Sequence, residues 1–298
     1  MKAMAWRELH AGAAGTLISL APALTMGLLA FGALGPQAAA LGIPAALVSS
    51  AVGGAVFALL ARGPMAAGGP AAAPVLVLAT LVARVAADPA FSAADAAAVA
   101  LLLALVAVAV VSMGLCQIVL GLSGLVRYAK FVPQPVLAGF MNGVALLALL
   151  ALLPLLFGWP VGVLQAGGWR AVPAIQPGTL VVGLFTVAVI LGLPRLNSKL
   201  PANLIGLLAG TGVYALLHAA APHWTLGPLT GALPTAWPQL DALSPLFNGL
   251  NQVLLQRHGP AALTAGVVMA LIGTLELVLN GLAMDQACHT RTDPKREV

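Results

Sequence analysis

Followed along the chain, the apolar residues run in long stretches, separated by short links rich in Pro, Gly and basic residues. An apolar helix needs roughly 20 residues to cross the hydrocarbon core of a bilayer. Stretches of that order lie near Ala11–Ala33, Gln37–Ala61, Ala93–Gly121, Pro135–Phe157, Thr179–Leu193, Ala202–His218 and Ala261–Met284, and each predicts a membrane-spanning helix. An eighth, Ala71–Val85, is too short to cross comfortably. The first stretch follows Lys2 and Arg7, the charge pattern of a secretion signal. Its apolar part is longer than the roughly 7–15 residues of a signal core, and no polar domain follows, so it reads as a span.

Composition sharpens this. The chain of 298 residues is 61% hydrophobic and 7% charged, with a mean hydropathy of +1.03. A soluble domain is about 45–50% apolar and about 25% charged, so lipid is the solvent that fits. The net charge of +5 does not mark a nucleic-acid binder, because the basic residues sit singly or in pairs between apolar runs. They report topology instead. With a cytoplasmic N-terminus and alternating segments, Lys2, Arg7, Arg62, Arg127, Lys130, Arg195, Lys199, Arg291, Lys295 and Arg296 fall inside. Arg84, Arg170 and Arg257 fall outside. That excess inside is the bias of cytoplasmic loops, and the opposite orientation reverses it. The outer links, "FGWPVGVLQAGGWRAVPAIQPG" and the stretch from Ala219 to Pro260, lack the polarity of a folded soluble domain, and Trp224 and Trp237 suit a membrane interface. The expected location is a bacterial inner membrane. Cys116 and Cys288 give neither a disulfide framework nor metal spacing.

The short segment carries the first functional signal. In "ARGPMAAGGPAAAPVLVLATLVAR", Gly63-Pro64, Gly68-Gly69-Pro70 and Pro74 cannot all lie in one regular helix. Irregular backbone at membrane depth is tolerated where it is buried in protein or lines a cavity. The pattern predicts an extended entry followed by a half-helix beginning around Pro70, since Pro is favoured in a first turn. Gly69, Pro70, Ala71, Ala72 and Ala73 then form a helix start whose free N–H groups and positive dipole end suit an anion. Discontinuous helices of this kind mark binding sites in secondary transporters. The plain alternative is a Pro-kinked helix packed by small residues.

The second signal is Glu276, with Asn280 one turn later, in the otherwise apolar or small run Ala261–Met284. A charge at membrane depth costs several kcal/mol unless it faces a cavity or a partner. Gly266, Gly273 and Asn280 repeat every seven residues, beside a row of Met269, Glu276 and Ala283. Glu276 therefore borders a small, polar seam of the kind used in helix packing. A carboxylate and an amide carbonyl at i, i+4 are hard oxygen ligands for a proton, Na⁺ or a hydroxyl-bearing substrate. A structural glutamate, protonated and bonded to a neighbouring helix, is the competing reading.

The remaining polar residues weigh less. His10, His218, His223, His258 and His289 lie at segment ends or in links and read as interfacial or exposed. Asp285 and Asp293 read as solvated or paired with Arg291 and Lys295, and Gln117 and Asn142 as interhelical hydrogen-bonding groups. No metal spacing, Ser/His/Asp set, HExxH or P-loop occurs, so no metal site, cofactor or enzyme is expected.

Three motifs carry a family resemblance. "LSGLVRYAKFVPQPVLAGFMNGVALLALLALLPLLFG", Leu122 to Gly158, resembles the fifth-helix signature of the sulfate permease (SulP) anion transporters. There a basic residue and an aromatic precede Pro-x-Pro-Val and Gly-Phe-x-x-Gly, matched by Arg127, Phe131, Pro133, Pro135, Val136, Gly139, Phe140 and Gly143. "TGALPTAWP" resembles the segment before that family's eighth helix, and "LIGTLELVLNGLAMDQACHTRTDPKREV" resembles that helix and its cytoplasmic end.

The resemblance implies an all-α polytopic membrane protein of two inverted seven-helix repeats, with a discontinuous third helix and often a cytoplasmic STAS domain. Residues 1–298 would be its partial transmembrane domain: the first repeat plus the eighth helix. The family continues past the position of Val298 into a second repeat, which a complete site needs. By position, Gly69, Pro70, Ala71, Ala72 and Ala73 match the anion-binding helix start, and Glu276 with Asn280 match an acidic and polar pair tied to Na⁺ or H⁺ coupling. Three positions depart: Ala71 stands where Ser or Thr is frequent, Ala23 follows Pro22 where Gln is common, and Asn280 replaces a Thr or Ser. The implied activity is secondary transport of sulfate, bicarbonate or a dicarboxylate coupled to H⁺ or Na⁺. Its partners are the small anion, the bilayer and a second copy in a homodimer. Competing readings are a nucleobase or benzoate permease of the same architecture, and a half-length membrane scaffold without transport.

Overall fold

Inside lipid, a backbone with no water to bond must satisfy its N–H and C=O groups within its own segment, so apolar stretches fold as helices. A computed structural model of the chain describes residues 2–60, 71–124, 133–159, 174–196, 201–220, 224–226 and 252–288. Among them run α1 (Lys2–Phe31), a 3₁₀ turn (Gly32–Gln37), α2 (Ala38–Leu60), α3 (Ala72–Ala86) and α4 (Ala96–Ser123). They are followed by α5 (Gln134–Leu156), α6 (Pro177–Leu196), α7 (Ala202–Ala220) and α8 (Gln252–Cys288). Seven of these are long and apolar enough to cross a membrane, and α3 is the short apolar helix of the set. The chain is thus an all-α polytopic membrane protein.

The helix limits differ from the apolar windows for identifiable reasons. α1 begins at Lys2 and α8 at Gln252, both about nine residues before their apolar windows, because the hydrogen-bond ladder is local and continues into polar sequence. α4 begins at Ala96, not Ala93, because Asp95 caps it: the Ala97 N–H donates to Asp95 Oδ1 at 3.0 Å. It ends at Gly124, whose φ of 70° is the left-handed conformation glycine adopts freely. Asp95→Ala should lower the unfolding free energy by about 1 kcal/mol, and Asp95→Asn should restore most of it. Denaturant titration of the purified protein checks this.

The chain divides into two compact units, and the division falls inside α1 and inside α5. In the first unit, Met1–Thr25 with Leu150–Leu233, α6 and α7 pack closely through glycines. Gly206 lies against Ile190 and Gly210 against Thr186, while Gly183 meets Leu156. These contacts are the small-residue approach by which membrane helices associate when apolar burial offers no advantage over lipid.

The second unit, Met26–Leu149 with Pro234–Val298, holds α2, α3, α4 and α8. Its core joins Leu81, Val82 and Val85 of α3 to Leu101, Leu102, Leu105 and Ala109 of α4 and to Ala262 and Met269 of α8. Ala30, Phe31 and Leu34 close one side. The backbones of α1 and α2 touch at Gly27 and Gly42, where either would drive a Cβ into the other's carbonyl. Large side chains elsewhere, such as Leu115 and Val119 on α4 and Leu146 and Leu149 on α5, are exposed.

Candidate functional site

α3 starts without a side-chain cap. Ala71 occupies the N-cap position in extended conformation (φ −92°, ψ 125°), and the first helical bond runs from Val75 N–H to Ala71 O at 3.4 Å. Pro74, in the first turn, has no N–H to contribute. The orphan donors of this helix end therefore reduce to those of Ala72 and Ala73, beside Ala71 itself. A short helix begins at Ala72, close to the expected start; the extended entry expected before it, with Gly69 and Pro70, lies outside the described residues.

What those donors face is Glu276. The N–H groups of Ala73 and Ala72 approach its carboxylate from across the α3–α8 contact. Its Oε2 is buried and has no hydrogen-bond partner. A buried carboxylate oxygen left unpaired is costly, and a proton or a cation is the remedy available in an apolar setting. Asn280 follows one turn later on α8, half-buried.

The glycine seam of α8 explains how the helices come close enough. Gly266 lies against Ser112 and the Ala109 carbonyl of α4. A Cβ at Gly273 would stand 3.2 Å from Gln117 Nε2 and Met113 Cε and 3.4 Å from Pro74 Cγ. The two glycines thus admit α4, and Gly273 also admits the first turn of α3. Gln117 enters this junction from α4, one helical turn of α8 before Glu276. Its intramembrane position was legible in the sequence, but its place beside Gly273 and Pro74 required the packing.

At the other end of α3 the structure holds a cluster that residue types alone did not disclose. Asp88 Oδ2 accepts from Arg257 Nη1 at 3.0 Å and lies 2.9 Å from His258 Nε2, while Oδ1 accepts from Ala90 N–H at 3.0 Å. The side chains of Asp88 and His258 are 5% and 7% exposed, and that of Arg257 is 64% exposed. His258 is therefore buried, not interfacial or exposed as its position at a segment end suggested, because a carboxylate waits for it there. His218, by contrast, is exposed near the end of α7, beside Tyr214. A signal for the cluster was present in the chain: Arg257-His258 and Asp88 both fall at segment ends that alternation places on one side of the membrane.

The Ala90 N–H, the His258 hydrogen bond and the Arg257 charge outweigh burial and hold the Asp88 carboxyl below the ordinary carboxylate range. A carboxyl depressed in this way stabilises the fold above its unfolded value of about 3.9 and loses that contribution as pH falls through its lower folded value. The melting temperature should stay level at and above about pH 5 and fall below about pH 4, with a smaller acid-side fall in Asp88→Asn. A difference between the two proteins that stays constant from acid to neutral pH would contradict this.

Comparison with known proteins identifies the family of the chain. The profile described as "Sulfate permease family" matches residues 9–298. The chain is 25% identical over 189 residues to YbaR of Bacillus subtilis, named as a candidate sulfate transporter; the match covers 63% of this chain and 34% of that protein. It is 29% identical over 196 residues to the bicarbonate transporter BicA of Synechocystis sp., covering 63% of this chain and 32% of that one. A second BicA, from Picosynechococcus sp., is 28% identical over 200 residues, covering 65% and 33%. These matches span about a third of the length of the curated relatives. No solved structure matches the chain at a significant level.

Proposed function

The chain belongs to the sulfate permease family, and on that footing we propose that it contributes to secondary transport of a small anion, with Glu276 as the coupling group. The observation that carries the reading is the approach of the Ala72 and Ala73 N–H groups, at the start of α3, to the Glu276 carboxylate on α8.

The chemistry follows from sharing one set of donors. A helix start with free N–H groups favours an anion. While Glu276 is ionised, its own carboxylate takes that role and repels a second anion. Two like charges about 4 Å apart repel by about 4 kcal/mol at an effective dielectric of 20. A proton on Glu276, or Na⁺ held by Glu276 and Asn280, removes the repulsion and leaves the donors to the substrate. Anion and cation then bind together, the condition for symport. The relatives carry sulfate or bicarbonate in their names, and both are compact oxyanions that N–H donors suit. An N-terminus in the cytoplasm of a bacterial inner membrane and a homodimer complete the reading.

Reconstituted proteoliposomes test it. Sulfate or bicarbonate uptake should follow an imposed proton or sodium gradient, and the same anions should slow exchange of the α3-start amides. Protection of that segment by uracil or benzoate, but not by inorganic anions, would overturn the substrate class. With the second repeat that a complete site needs present, a stable protein with no flux of any of these would overturn transport.

A further inference from the structure

The apolar contacts of α3 with α4 and α8 fix how far apart the helices lie. They do little to fix where α3 sits along its own axis, because apolar attraction has no direction. Leu81, Val82 and Val85 contact Ala262 and Met269 through apolar surface alone, with no hydrogen bond to fix the axial position, where one residue is about 1.5 Å. At the start of α3, Ala71 makes no capping bond and Pro74 meets Gly273 through apolar contact only. Thr80, a polar side chain of α3, bonds to its own helix at Val77 O. Yet the candidate site depends on axial register, because it is made of two particular N–H groups placed against one carboxylate.

The directional contacts lie at the far end. Asp88 sits two residues beyond α3 and is engaged through nearly every polar atom. Its N–H donates to Val85 O at 3.1 Å and its carbonyl accepts from Phe91 N–H at 2.9 Å, which ties the side chain to the helix end. Its two carboxylate oxygens take Ala90 N–H, Arg257 and His258. An ionised carboxylate only accepts, so His258 Nε2 carries the donated proton. His258 Nδ1 is left buried without a partner, a cost the fold accepts to keep this contact. The 2.9 Å contact between the buried Asp88 and His258 side chains does not survive a slide of about 1.5 Å along the axis.

We propose that Asp88, Arg257 and His258 form a positioning clasp that sets the axial register of α3 on α8 and thereby places the Ala72 and Ala73 N–H groups at Glu276. The geometry of the pair supports action at that distance. Ala73 and Asp88 are separated by about 22 Å of helix, and His258 and Glu276 by about 27 Å, at 1.5 Å per residue. The two helices run antiparallel and meet at both ends, so α3 behaves as a rod held at its far end. The residues of the clasp touch no substrate; they act through α3. The inference rests on the proposed site only in giving this register a purpose.

Amide hydrogen exchange of the purified protein in lipid nanodiscs, read by mass spectrometry, tests the clasp without any transport assay. Asp88→Asn should speed exchange in peptides covering residues 72–80 by about tenfold, as well as near residues 86–91, and Asp88→Glu should recover part of the protection. Arg257→Gln, which alters an exposed side chain and leaves the core intact, should give a smaller acceleration of about threefold at the same α3 start. Acceleration confined to residues 86–91 in both Asp88→Asn and Arg257→Gln would overturn the clasp; should Asp88→Asn fail to fold, Arg257→Gln decides alone. If exchange at the α3 start responds but Glu276→Gln leaves coupled uptake unchanged, the clasp stands and the transport reading of the site falls.

Discussion

Glu276→Gln should abolish gradient-driven anion accumulation, by about 100-fold or more, while leaving anion binding and exchange in place. Glutamine keeps the size of the side chain and removes its charge, so the variant resembles the neutralised state permanently. The Ala72 and Ala73 donors are then free for substrate whatever the proton or sodium concentration. A repulsion of about 4 kcal/mol between nearby like charges sets the scale, since each 1.4 kcal/mol is a factor of ten. Wild-type anion binding should therefore require the coupling cation and the variant's should not. Coupling is reciprocal for binding: if the cation raises anion affinity, the anion must raise cation affinity by the same factor. Isothermal titration of the anion against proton and sodium concentration, beside counterflow in proteoliposomes, reads both sides. Unchanged coupled uptake in Glu276→Gln would reduce Glu276 to a structural acid.

Gly266→Val should be the most damaging single change to the fold, costing about 3 kcal/mol or more. Even an alanine Cβ at Gly266 would lie 2.5 Å from the Ala109 carbonyl oxygen and would collide with Ser112 Oγ. Neither neighbour can retreat easily, because Ala109 is buried backbone and Ser112 Oγ donates to that same carbonyl at 2.9 Å. Valine adds two methyl groups to a contact with no room for one. Gly273→Ala is the informative contrast. Its close neighbours, Gln117 Nε2 and Met113 Cε at 3.2 Å, are the far ends of flexible side chains. It should cost less than about 1 kcal/mol and show its effect at the site through Pro74 and Gln117. Unfolding in mixed micelles at fixed lipid ratio measures both, and Ser112→Ala should recover part of the loss in Gly266→Ala. Equal destabilisation by the two alanine changes would show that the helices separate freely.

The comparison of Gly266 with Gly273 also shows how far the chain could be read unaided. The seven-residue repeat of Gly266, Gly273 and Asn280 announced a small, polar seam, and the first two members do face α4. Which one meets rigid backbone and which meets flexible side chains depends on the axial register of two helices, and no single-helix pattern contains that. Gln117 illustrates the same limit: an intramembrane amide reads as a hydrogen-bonding group until a neighbouring glycine shows where it points. His258 marks a plain error of position, since a histidine at a segment end is solvated unless a carboxylate from another segment covers it. Asp88 lies 170 residues earlier.

What the sequence settled by itself was everything governed by the solvent. Long apolar runs of about 20 residues with sparse charge call for membrane helices, because each such segment then satisfies its backbone hydrogen bonds within itself. The motifs from Leu122 onward carried the family. Only the tertiary structure decided that the start of α3 meets Glu276 and that its far end is pinned at Asp88. Those are meetings between residues about 200 and 170 positions apart, set by close packing at glycines and by directional bonds of about 3 Å, and both act between helices rather than along one.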